Sequence, residues 1–300
     1  MLLSLLRVVT QGSRVQRQQL KSPLGYANSH GRLRTTLATA VVTLAALACS
    51  GCGTPSSSID SSTDVVIGQI GRGSMHCDPS DHSLMIRPNS QDTFPTAPVQ
   101  VPPDAARAIR RASQITGASA EYLAATAFRE SHFRATSAAH SSSAQGMFQF
   151  IEQTWLATFA QHGECMGMGA LARHIQRAPD GKHIVENQAV RQRILALRND
   201  QLSASILAAR LAQSNAKALM RQLGRLPTPG EVYAAHFLGA TASLHLITLA
   251  SQRPWASAPE RFPREAAANK SIFYSDGRPK SAYEVWEELI EKHDRLRFVL

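Results

Sequence analysis

Acidic residues are missing from the first fifty-two positions of this 300-residue chain, which carry six basic side chains instead (Arg7, Arg14, Arg17, Lys21, Arg32 and Arg34). That asymmetry supplies six of the formal net charge of +10 and leaves about +4 on residues 53–300. A moderately basic remainder suits a partner rich in anionic groups and does not require nucleic acid. Nucleic-acid-binding signatures are lacking too, and the aromatics, 6% of the residues, are not interleaved with basic runs. Cysteines number four, and two of them fall within the first fifty-two residues. His76, Cys77 and His82 lie close together but give no standard zinc spacing, so no metal site is expected. Internal repeats are absent, and beyond residue 103 the alternation of a strand is almost absent.

What is present begins with an export signal. Residues 36–48 read TLATAVVTLAALA, an apolar run too short to span a bilayer and suited to a signal h-region, with Arg32 and Arg34 just before it. The following Ala48-Cys49-Ser50-Gly51-Cys52 resembles the bacterial lipobox, in which the cysteine is lipidated. Cys52 is the preferred lipid site and Cys49 the alternative, because Cys49 stands where a lipobox usually has leucine. Ala46-Leu47-Ala48 also fits ordinary signal peptidase cleavage, and a never-cleaved anchor is a further alternative. Residues 1–31 make an unusually long n-region, read as an over-called start or as an apolar tract (residues 1–9) without a role. Gly53 rather than an aspartate after Cys52 points to the outer membrane. The expected location is thus the periplasm or cell envelope. In such an exported, disulfide-permissive compartment Cys77 and Cys165 either pair or remain two thiols.

Three domains of organisation follow: a signal and lipobox region over 1–52, a flexible linker and loosely ordered lead-in over 53–103, and a helical domain over 104–298. Residues 53–64 read GTPSSSIDSSTD, too poor in apolar residues to pack. From 104 the helix punctuation is clear. Asp104 opens a segment closed by Gly117, Ser119 caps a second carrying Leu123, Ala127 and Glu130, and Thr154 to His162 ends at Gly163. Asn199-Asp200 starts a longer helix. Thr228 and Glu231, then Ser281 and Glu284, each form a capping box, the first with Pro229 at the first helical position and Gly239 after the run. The fold class expected from these patterns is all-α.

Glu130 extends the stripe of Leu123 and Ala127, which turns its carboxyl toward the core or a cleft. Desolvation there raises a carboxyl pKa into the range of a general acid. On spacing alone, a solvated helix-end glutamate, or one paired with Arg129 or Arg134, is the plainer reading. Three blocks alter it. Glu130-Ser131-His132-Phe133 resembles the E-S-x-F segment of soluble lytic transglycosylases and goose-type lysozymes. Ser143-Ala144-Gln145-Gly146-Met147-Phe148-Gln149 is similar to that superfamily's G-A-x-G-L-M-Q block, continuing through Ile151 to Thr154-Trp155. Glu231-Val232-Tyr233-Ala234-Ala235-His236-Phe237-Leu238-Gly239 resembles a variant of its third motif. Order and spacing agree over roughly residues 104–295.

The resemblance implies a lysozyme-like domain of the SLT type. It implies Glu130 as the single catalytic acid and base, Ser131 as an orienting hydroxyl, and Gly146 as the point where backbone nears the sugar. Met147 and Phe148 would line the cleft and Gln149 would bond the substrate, with core packing and a structural amide as the plainer readings. Tyr233 or His236 would support the site. His236 and Phe237 replace the commoner Tyr and Asn of the third motif, which leaves the helper residue open. The only acids between Ser131 and Ile184 are Glu152, Glu164 and Asp180, none in a catalytic block, and Glu152 is read as exposed at a helix start. A one-carboxylate site implies a peptidoglycan lytic transglycosylase that uses the substrate's own hydroxyl, without cofactor or metal, acting on glycan strands as a monomer. A goose-type muramidase and a non-catalytic peptidoglycan-binding envelope lipoprotein are the alternatives.

Overall fold

The computed structural model describes residues 97–139 and 142–300. The signal and lipobox region, most of the lead-in, and Cys49, Cys52 and Cys77 lie outside the described residues. The described body is mostly helical, in keeping with the all-α expectation. Its principal helices are α1 (Pro103–Thr116), α2 (Ala120–Ser131), α3 (Glu152–His162), α4 (Gln188–Ala196), α5 (Gln201–Leu223), α6 (Pro229–Leu238) and α7 (Ala240–Gln252). The terminal helix, α8 (Ala282–Trp286), runs on through a π-turn (Glu287–Glu291) into a last turn (Lys292–Asp294).

Local chemistry sets the ends of these helices. Ser119, Asp200, Thr228 and Ser281 each accept a backbone N–H of the first turn, and both capping boxes close reciprocally. Gly117 ends α1 in the left-handed region. Among the described residues no helix is long and apolar enough to cross a membrane.

Helix α5 is the axis of the body and packs on α1, α2, α3, α6 and α7. It is buried nearly all round, at Ala204, Ile206, Leu207, Ala208, Ala209, Ala212 and Ala216, and a helix apolar on most faces belongs inside. Its alanines, with Ala105, Ala108 and Ala112 of α1, let backbones approach closely, while Ile109, Leu123, Leu156 and Leu207 fill the layers between. Each such large side chain contributes about 1.5–3 kcal/mol on burial.

The chain joins this body before the boundary read at 104. Val99–Gln100 pairs in parallel with Phe298–Val299, and Val101 is buried, so the two ends of the domain are clasped together. Two further two-residue strand pairs, Gln176–Arg177 with His183–Ile184 and Tyr274–Ser275 with Arg278–Pro279, are local hairpins.

Candidate active site

Glu130 sits one residue before the end of α2. The chain then turns sharply: His132 and Phe133 adopt φ of 52° and 64°, and their N–H groups close the helix on Phe128 and Ala127. Two successive non-glycine residues in this region are a strained arrangement that the buried Phe133 side chain helps to hold. Strain of this kind, directly after a buried carboxyl, is what a tightly specified site shows.

The Glu130 side chain is 5% exposed. Its Oε1 accepts a hydrogen bond from the Tyr233 hydroxyl at 3.0 Å, a contact made across 103 positions of sequence. Burial pushes the Glu130 pKa up to about 7, against smaller downward effects of the Tyr233 bond and the Arg129 charge. Tyr233 is buried as well and its pKa lies well above the usual phenol value, chiefly by desolvation, so it stays a donor. His236 Nε2 is 3.9 Å from the same oxygen, too long for a hydrogen bond, and burial brings its pKa down to about 4. Tyr233 is therefore the residue bonded to Glu130, and His236 stands beside it as a neutral ring stacked at 22° on the tyrosine.

Arg129 does not pair with Glu130. Its guanidinium donates to the carbonyls of Leu289 (3.0 Å) and Glu288 (2.8 Å), with the Glu288 carboxylate 4.0 Å away. Among the described residues Glu130 is thus neither solvated nor in an ion pair with Arg129 or Arg134.

The block from Ser143 to Phe150 folds into a tight loop against residues 137–138, through bridges Ala138–Gln145 and Gln145–Phe150. The Gly146 N–H donates to the Ser137 carbonyl at 2.8 Å. Several roles implied by the resemblance change here. A Cβ on Gly146 would stand 1.9 Å from the Arg198 carbonyl oxygen, and its φ is +84°. What needs the glycine is close packing against the Arg198 backbone, in place of room for a sugar. Met147 and Phe148 are both 0% exposed and serve the core instead of lining a cleft, because the positive-φ residues on either side, Gly146 and Gln149, turn them inward. The Ser131 hydroxyl donates to the Met147 carbonyl at 2.8 Å, so it ties the loop to α2 and does not touch the carboxyl. Gln149 braces the loop, its amide donating to Ser137 and Gly146 carbonyls at 3.0 and 2.8 Å. Its Oε1 is buried without a partner, a condition that costs about 1–3 kcal/mol unless a ligand supplies a donor.

Glu152, read as exposed, is half-buried at the first residue of α3 and pairs with Arg191 at 2.5 Å. Sequence reasoning missed Arg198. It is 7% exposed and its guanidinium donates to the carbonyls of Leu195, Ser143 and Phe150, clamping both ends of the loop. It missed His293 too, which stacks on Tyr233 from the terminal helix. A lone arginine after the apolar Ile194-Leu195-Ala196-Leu197 run was the one sign of the first; nothing local marks the second.

Cys165 is disulfide-bonded, with a partner outside the described residues. Among the described residues no group of three ligating side chains stands ready for a metal ion. A cavity of about 610 Å³ opens between Pro259, Pro263, Ala266, Lys270 and Tyr274, and none of the sequence-predicted site residues lines it. No protein-family model matches the chain.

Proposed function

We propose that the chain is a peptidoglycan lytic transglycosylase with a lysozyme-like helical domain and Glu130 as its sole general acid and base. One observation carries the reading: a carboxyl buried at the strained end of α2, bonded by Tyr233 and held near neutrality by desolvation. A carboxyl raised this far keeps a proton to give much closer to neutral pH than a hydrated one does, and the same group accepts one once ionised. The three sequence blocks that resemble the superfamily meet at this carboxyl or brace it.

The chemistry needs no second carboxylate. Inverting glycosidases need a base on the far face of the sugar, and retaining ones usually a nucleophile close by. Here Glu152 is paired with Arg191, Asp180 with Lys182 and Glu231 with Arg225, Glu164 is exposed, and among the described residues Arg129 is the charged neighbour that moves the Glu130 pKa. Protonated Glu130 donates to the oxygen linking N-acetylmuramic acid to N-acetylglucosamine, and the C1–O bond breaks. The substrate's N-acetyl oxygen stabilises the cation-like C1. Glu130, now a carboxylate, takes the proton from the C6 hydroxyl, and O6 closes on C1 to give a 1,6-anhydromuramyl end with no water consumed. Export and a lipid anchor on Cys52, or on Cys49, would bring the domain to the glycan strands of the cell envelope.

Digestion of purified sacculi, with mass spectrometry of the released muropeptides, tests this directly. Anhydromuramyl ends are expected from the wild type and no turbidity loss from Glu130→Gln. Hydrated ends alone replace the lyase with a hydrolase; equal turbidity loss from both proteins overturns the assignment of Glu130.

A further inference from the structure

Tyr233 is held by more than its bond to Glu130. The His293 ring lies 4.6 Å from the Tyr233 ring, centroid to centroid, at an interplanar angle of 15°. The guanidinium carbon of Arg129 is 4.3 Å from the same tyrosine centroid. His293 is 1% exposed, and neither Nδ1 nor Nε2 has a hydrogen-bond partner. A buried imidazole with both nitrogens idle is costly, and a histidine kept only for core packing would be expected to bond at least one of them. What His293 offers is a flat face, backed by Tyr122 at 5.5 Å and 50°.

Both supports trace to the terminal helix. Arg129 is fixed by the carbonyls of Glu288 and Leu289, which belong to the π-turn, and His293 is the second residue beyond that turn. A π-turn offsets the residues beyond it by one position relative to a regular helix, and such turns recur at functional sites.

We propose that His293 is a positioning residue: its ring, together with Arg129, fixes the Tyr233 ring so that the hydroxyl stays on Glu130. This rests on the reading of Glu130 as the acid. The titratable and charged groups facing Tyr233 are Glu130 and Arg129 from α2, Tyr122 from the start of α2, His236 from its own helix and His293 from the terminal helix. Freed on its stacked face, the tyrosine swings and its hydroxyl leaves the carboxyl, and misplacement of a site group by about 1 Å costs up to ~10²-fold in rate.

The test compares His293→Phe, which keeps a flat ring and drops the nitrogens, with His293→Leu and the similarly sized, flexible His293→Met. Each is made alone and on Tyr233→Phe. Two readouts are taken: the pH profile of sacculus lysis, and the titration of the Glu130 carboxyl by NMR of carbon-13-labelled glutamate. His293→Phe is expected to track the wild type. Leu and Met are expected to lower kcat about tenfold with KM little changed. They should also move the Glu130 titration toward that of Tyr233→Phe, with no further shift when the two changes are combined. Folded Leu and Met variants that titrate like wild type overturn the proposal, as do shifts that add fully to Tyr233→Phe. Failure of Phe to rescue does so as well. The two claims fail separately: the expected titration shifts in a protein that never lyses sacculi keep the positioning role and remove the enzyme, whereas lysis with unmoved titration does the reverse.

Discussion

Replacing Glu130 by glutamine should make the protein more stable, and increasingly so as the pH rises. Burial holds the folded-state pKa of Glu130 at about 7, above its ordinary value of 4.5. The native state therefore binds this proton more tightly than the unfolded chain does. Below about pH 4.5 the carboxyl is protonated in both states and costs little. As the pH rises through about 7 that advantage is lost, because the unfolded chain has already ionised in water while the native one must ionise inside the protein. A shift from 4.5 to about 7 corresponds to roughly 3 kcal/mol over that window. Glutamine keeps the size of the side chain and an oxygen for Tyr233, and it never ionises. Its amide carries a fixed cost that does not vary with pH, and titration of groups not coupled to Glu130 cancels between the two proteins. Urea unfolding of the full chain, wild type against Glu130→Gln, should give a stability difference that grows by about 3 kcal/mol between about pH 4.5 and about pH 8.5 at equal m-values. That is roughly 6–12 °C in melting temperature for a domain of this size. A difference that does not change with pH would mean an ordinary, hydrated carboxyl, and the desolvation argument would be refuted whatever the activity assays showed.

Two paired glycine changes probe the loop. Gly146→Ala meets the Arg198 carbonyl at 1.9 Å and should cost more than about 3 kcal/mol, whereas Gly167→Ala, with φ of +73° and nothing within 4 Å, should cost only about 1 kcal/mol; equal losses in urea unfolding would refute the packing argument. Arg198→Met removes the donor to three carbonyls and should lower stability by roughly 3 kcal/mol, and a loss below about 1 kcal/mol would show that the loop holds itself.

The helix ends were legible because their chemistry is local. Ser119, Asp200, Thr228 and Ser281 each bond a backbone group three residues away, and a pattern of that length can be read in one dimension. Gly239 misleads within the same logic. It follows α6 as a stop would, yet α7 begins at the next residue without a side-chain cap, and the Asn187 cap of α4, which accepts the Val190 N–H, went unread. The position of Glu130 on the inner face of α2 followed from helical periodicity, whereas a helper from the third block was implied only by the resemblance, which left Tyr233 and His236 both open. The loop defied the same reasoning. Positive φ at Gly146 and Gln149 breaks any period, so whether Met147 and Phe148 face a groove or the core depends on two dihedral angles that the residue types do not dictate. Apart from the Arg198–Leu195 bond, Arg198 and His293 act over 48 to 60 positions or more, and contacts at such separations leave no local trace.

The departure at the third motif bears on how a lone carboxyl stays an acid. A charged histidine within 4–6 Å lowers a carboxyl pKa by about 1–3 units, which would leave Glu130 ionised at neutral pH and unable to donate. His236 stands 3.9 Å away, so its neutrality is a condition of the proposed chemistry. Burial supplies it, by bringing its pKa down to about 4, and holds His293 well below its usual value as well. Arg129, the remaining cation, spends its donors on carbonyls of the terminal helix and lies over Tyr233 instead of Glu130. Water that reached these rings would return the histidines toward their ordinary pKa of 6.5, so that a larger share carried charge, and would hydrate the carboxyl; both changes lower the pKa of Glu130. Exclusion of solvent from Tyr122, His293 and Tyr233, with His236 left only 14% exposed at their edge, is therefore, more than any single partner of Glu130, what lets a histidine occupy this place beside the proposed acid.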